Sequence, residues 1–117
     1  MTDRELLELA AKAAGYDTTH RMNAERLQMI PPVDSLLIRD SAGEIRHTAW
    51  NPLANNGDAL RLAVKTGAVI QPKGLGVEVW VFESRVSSGV VEYGDDPYTA
   101  TRRAIVRAAA AIGSAML

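Results

Sequence analysis

The chain has 117 residues, of which 47% are apolar and 23% charged, with a net charge of −1 and no cysteine. Those figures describe one ordinary globular domain, residues 1–117, rather than a disordered segment. They exclude disulfides, thiol catalysis and cysteine-bound metal, and they supply no whole-molecule field for nucleic acid or an anionic membrane.

The opening Met1-Thr2-Asp3-Arg4-Glu5 is acidic and helical in character, unlike a secretory leader, and no apolar run approaches the ~20 residues of a membrane span. A cytoplasmic protein without membrane contact is therefore expected. His20 and His47 lack the spacing of a helical zinc site, and no phosphate loop or nucleophile elbow is present. No metal, cofactor or catalytic residue is expected, and the reading leans away from an enzyme.

Thr2 to Glu5 has the pattern of a capping box, and Leu6, Leu9, Ala10 and Ala13 follow at helical spacing up to Gly15, which predicts a helix over 3–14. Residues 16–33 are either a short helix, capped by Asn23 and closed by Pro31-Pro32, or a functional loop that contains His20. Strands are expected over 35–39 and 45–50, joined by Asp40-Ser41-Ala42-Gly43. Asn55 or Asn56 should cap a second helix, with Asp58 favoured in its first turn and Ala59, Leu60, Ala63 and Val64 facing inward.

Ala68–Gln71 reads as a strand stopped by Pro72. Val77–Glu83 reads as a strand with Val77, Val79 and Val81 on one face and Glu78, Trp80 and Phe82 on the other. Residues 85–89 read as a turn and Val90–Tyr93 as a further strand. Asp96 and Pro97 start a last helix that runs to about Ile112, with Thr101, Ile105, Ala108 and Ile112 inward and Arg103 and Arg107 outward. The order α-β-β-α-β-β-β-α predicts an α+β fold, a mainly antiparallel sheet packed with helices as an α/β/α sandwich.

Trp50-Asn51-Pro52 followed by Asp58-Ala59, and Asp95-Asp96-Pro97-Tyr98-Thr99-Ala100 leading into Arg102-Arg103-Ala104, resemble the phage ABA sandwich domain family, small accessory proteins of bacteriophages and prophages. The resemblance covers most of residues 34–113. It implies a helix-sheet-helix sandwich and a phage or prophage origin, and it implies no activity.

Three sets of residues are candidate sites. Glu78, Trp80 and Phe82 form either a helix-covered core face, an oligomer interface or a stacking platform. Trp50, Asn51 and Asp58 surround a helix N-terminus that either binds an anion or is satisfied by its own side chains, and His20 is a further ligand candidate. Arg102, Arg103 and Arg107 form either a nucleic-acid face or an ordinary solvated one, and Asp95-Asp96 reads as a cap rather than a reactive carboxylate pair. The function expected is binding of a host or phage macromolecule by a homodimer; nucleic-acid and small-molecule or nucleotide binding are the alternatives.

Overall fold

The computed structural model describes residues 1–40, 47–74, 76–83, 86–94 and 96–116; the side chains of 73, 81–83 and 86–88 lie outside that description. The elements in chain order are α1 (Asp3–Ala14), β1 (Tyr16–Asp17), α2 (Met22–Leu27), β2 (Leu36–Asp40), β3 (Thr48–Trp50), α3 (Asn56–Thr66), β4 (Val69–Lys73), β5 (Gly76–Glu83), β6 (Val86–Tyr93) and α4 (Pro97–Ala115). The α+β class and the expected order are found; the short helix that is one reading of residues 16–33 forms as α2, and the two-residue β1 is added before it.

The helix boundaries follow from their caps. Thr2 accepts from the Glu5 amide, Asn55 from that of Asp58, and Asp96 from that of Tyr98. Gly15 and Gly67 end α1 and α3 in the left-handed region, at φ 77° and 67°, where a Cβ is costly.

The strands divide between two antiparallel sheets, β1-β2-β3 and β4-β5-β6. β2 pairs with β3 through Leu36↔Trp50, and β5 with β6 through Trp80↔Gly89. Both sheets contribute to one core: Leu36, Ile38 and Trp50 from the first, Val77, Val79 and Val90 from the second.

Helix α4 runs through the middle of that core. It packs on α1 and α3 and also on β5 and β6. The single inward stripe expected for it is therefore too narrow, because Ala104, Val106, Ala109, Ala110 and Gly113 are buried as well. Alanine and glycine suit a helix enclosed on several sides, since they let neighbouring backbones approach closely.

In α3 the buried residues are Asp58, Ala59, Leu62 and Ala63, whereas Leu60 and Val64 are exposed. The expected stripe is thus rotated. The Asp58 side chain turns inward to the Asn51 amide, and Leu62, one turn further on, follows it into the core.

The segment after α1 is ordered by Asn23 rather than capped by it. Arg21 is the N-cap of α2 and gives no side-chain bond, while the Asn23 carboxamide reaches β2. Two strand limits also differ. β4 continues through Pro72, which an edge strand tolerates. β6 begins at Val86, so the turn expected over 85–89 is strand from 86 onward. The hairpin turn expected at 41–43 lies outside the described residues.

Candidate functional site

Two places bring candidate residues together. The first is the junction between β3 and α3. The Asn51 amide donates to Asp58 Oδ2 (3.0 Å), Asn51 Oδ1 accepts from the Leu53 amide (3.1 Å), and Asn55 Oδ1 accepts from the Asp58 amide (2.9 Å). Asp58 also pairs with Arg61 at 2.5 Å. Side chains of this chain thus take up the Asn51, Leu53 and Asp58 amides, which would otherwise be open to an anion.

Trp50 is buried beneath this junction at 2% exposure, and Tyr16 meets it edge to face, with ring centroids 5.5 Å apart. Lys65 Nζ sits 5.2 Å from the centre of the Tyr16 ring and 2.7 Å from Asp40. Burial pushes the Tyr16 hydroxyl above its ordinary value, against the opposite pull of Lys65. Together Tyr16, Asp40, Thr48, Trp50, Asp58 and Arg61 line a cleft of about 370 Å³.

Each carboxylate in that cleft has a cation beside it, Asp40 with Lys65 and Asp58 with Arg61, so the local charge is close to balanced. The indole Nε1 of Trp50 is buried and makes no hydrogen bond among the described residues. Tyr16, Asp40, Arg61 and Lys65 carry no local signal in the sequence that links them to Trp50. Strand pairing of β1 with β2 and the packing of α3 bring them there.

His20 is absent from this cleft. Its Nδ1 accepts from the Met22 amide (3.1 Å), and its ring lies edge to face with His47 at 4.6 Å. The two histidines, distant in sequence, are therefore neighbours. No group of three or more His, Asp or Glu able to hold a metal occurs among the described residues.

The arginines of α4 do not share one patch. Arg102 clamps the α3 entry, donating to Leu53 O (2.9 Å), Asn56 Oδ1 (2.7 Å) and Thr99 Oγ1 (3.1 Å). Arg103 pairs with Asp3 on α1 at 3.3 Å, and Arg107 pairs with Glu92 on β6. Asp96 accepts from Thr99 and from the Tyr98 amide, which holds its carboxyl below the usual value; Asp95 lies outside the described residues.

The second place is the outer face of β4-β5-β6. Val77, Val79 and Val90 face the helices. On the opposite face the pairs Val69↔Trp80↔Gly89 and Glu78↔Val91 put Val69, Trp80 and Val91 together, with Tyr93 following on the same side. Their exposures are 53% for Val69, 36% for Trp80, 39% for Val91 and 70% for Tyr93. No helix among the described residues covers this face, so the covered-core reading of Trp80 does not hold.

Trp80 lies flat across the neighbouring strand. A Cβ built on Gly89 would stand 2.7 Å from the indole. Its Nε1 donates to Glu78, whose side chain is buried at 9% exposure beside it. Tyr93 lies in the same way over Gly76, with a ring carbon 2.6 Å from a Cβ built there. The side chain of Phe82 is outside the described residues. Strand alternation from Trp80 could have identified Val91 and Tyr93, but only with the β5–β6 register in hand.

Comparison with known proteins adds no relative: no family model, no curated protein and no solved structure matches the chain.

Proposed function

We propose that this chain acts by binding protein through the β4-β5-β6 sheet, and that its first partner is a second copy of itself. One observation carries the reading: Val69, Trp80, Val91 and Tyr93 are exposed side by side on a single sheet face. Apolar side chains gathered in this way mark interaction surfaces more often than isolated ones do. The reading agrees with the resemblance to small bacteriophage and prophage accessory proteins, and with a cytoplasmic place of action.

The polar residues support it from the other side. Asn51, Asn55, Asp58 and Asp96 serve helix starts, and Arg102, Arg103 and Arg107 are engaged within the chain. Light scattering across a range of concentrations tests the proposal. The apparent mass should rise toward twice the 12.6 kDa of one chain. Val91→Lys, which sets a charge in the apolar strip, should hold it at one chain. A wild-type mass that stays at one chain up to millimolar concentration refutes self-association.

A further inference from the structure

The apolar groups of the open face are not spread evenly over the sheet. Two of them stand over a single strand, β6: Val91 belongs to it, and the Trp80 indole crosses onto it at Gly89, while Tyr93, also of β6, turns its ring over Gly76 on β5. β6 is also an outer strand: in the order β4-β5-β6, nothing among the described residues pairs with its far edge. That edge therefore offers backbone donors and acceptors that no described strand pairs, next to an apolar strip, the combination that natural proteins suppress when an edge must stay single.

The two outer strands differ in this respect. β4 carries Pro72, which has no N–H to donate. β6 contains neither proline nor lysine, and its pairing with β5 runs without a bulge from Gly76↔Tyr93 to Glu83↔Val86. Its one acidic residue, Glu92, is neutralised by Arg107 on the helix-facing side. Two copies of β6 can therefore approach without like charges meeting.

From this we infer that two copies join edge to edge along β6, antiparallel about a two-fold axis, to give one six-stranded sheet in the order β4-β5-β6-β6-β5-β4. The inference rests on the self-association proposed above and adds its geometry. A strand edge pairs with its own copy in the antiparallel sense about a two-fold axis, which is the self-complementary contact of a closed dimer. In that arrangement the strip over one β6 meets the strip over the other. Val91 then gains cross-strand neighbours on the same face, where such pairs stabilise a sheet.

The absence of cysteine makes the test direct. Single cysteines are placed one at a time at positions 87, 88 and 90 to 93 on β6, and at Val69 and Gln71 on β4, and each folded variant is oxidised. Edge pairing predicts disulfide-linked dimer at one β6 position or at two near the axis, steep loss on either side, and monomer for both β4 variants. Efficient cross-linking of the β4 variants overturns the edge geometry in favour of face-to-face stacking and leaves self-association standing. Light scattering that shows dimer with no cross-link at any β6 position also overturns it. Monomer throughout removes both the geometry and the reading beneath it.

Discussion

Asn23 and Leu37 face each other as two strand residues would. The Asn23 carboxamide donates to Leu37 O at 3.0 Å and accepts from Leu37 N at 2.7 Å. Its second N–H reaches Thr18 O at 2.9 Å. β1 pairs with β2 only at Tyr16↔Asp40 and Asp17↔Arg39. The side chain of Asn23 therefore continues the β1 edge where the backbone has turned away into α2, and it does so at 6% exposure.

Replacing Asn23 should consequently cost more than an ordinary helix substitution. Asn23→Ala leaves the Leu37 N–H and C=O and Thr18 O without their partner, and buried polar groups stranded in this way cost roughly 1–3 kcal/mol each before water enters. We expect about 3 kcal/mol of lost stability in urea unfolding. Asn23→Asp keeps the acceptor for Leu37 N but, when ionised, sets a carboxylate against two carbonyls. It should therefore recover part of the loss at low pH, where the protonated acid donates once. A change below about 1 kcal/mol for Asn23→Ala would show that the bridge is not structural.

Gly113 sets the distance between α1 and α4. A Cβ built there would lie 1.9 Å from the Leu9 carbonyl oxygen, which is backbone and cannot swing aside. Gly113→Ala gains helix propensity of about 1 kcal/mol yet forces the two helices apart. Overpacking of this kind costs roughly 1–3 kcal/mol and sometimes more. The net result should be a lower Tm, by several degrees, whereas propensity alone predicts a higher one.

Arg102 acts as a clamp in this structure. Two of its three contacts tie α4 to Leu53 and Asn56 at the entry to α3, and the third is to Thr99 within α4. Arg102→Ala should destabilise by about 2 kcal/mol, since hydrogen bonds from a charged donor are each worth roughly 1.5–3 kcal/mol when kept from water and less at a partly exposed site. Arg103→Ala and Arg107→Ala break single surface pairs and should each cost less than about 1 kcal/mol. Under the account given above, none of the three changes retention on DNA or RNA at low salt. Retention by the wild type that charge reversal here abolishes would return nucleic acid to first place.

Two carboxyls, Asp17 half-buried and Asp96 exposed, shape the acid limb of stability. Asp17 is held below its ordinary value by the hydroxyl and amide of Thr19, with smaller help from Arg39 and His47. Asp96 is held low by the Thr99 hydroxyl and the Tyr98 amide, among other contacts. Both titrate lower in the folded chain than in the unfolded one. Their contribution is therefore complete above the usual aspartate range, near pH 4, and disappears as pH falls through the lowered values. Urea midpoints measured from pH 7 to pH 2 should fall on the acid side, and fall less for Asp96→Asn, which retains a cap acceptor without the titration. Identical pH profiles for wild type and Asp96→Asn would contradict this assignment.

Where punctuation is local, the structure was legible in the sequence. Thr2, Asn55 and Asp96 cap as their residue types require, and Gly15 and Gly67 end the helices they follow. The inward turn of Val77 and Val79 is a matter of strand period. Other features depend on tertiary placement. Asn23 looks like a cap because caps and side-chain bridges use the same amide, and only the passage of β2 selects the bridge. Leu60 and Val64 resemble core residues until Asp58 fixes the rotation of α3. Of the candidate surface, Trp80 was visible from alternation; Val91 and Tyr93 joined it only once Trp80↔Gly89 had set the register.

Amide hydrogen exchange on β6 at two protein concentrations tests the central claim most directly. If two copies pair along this edge, alternate amides between Gly89 and Tyr93, those turned away from β5, should exchange more slowly as concentration rises, while the amides of β4 keep their rates. Rates on β6 that do not change across a hundredfold range of concentration would contradict it.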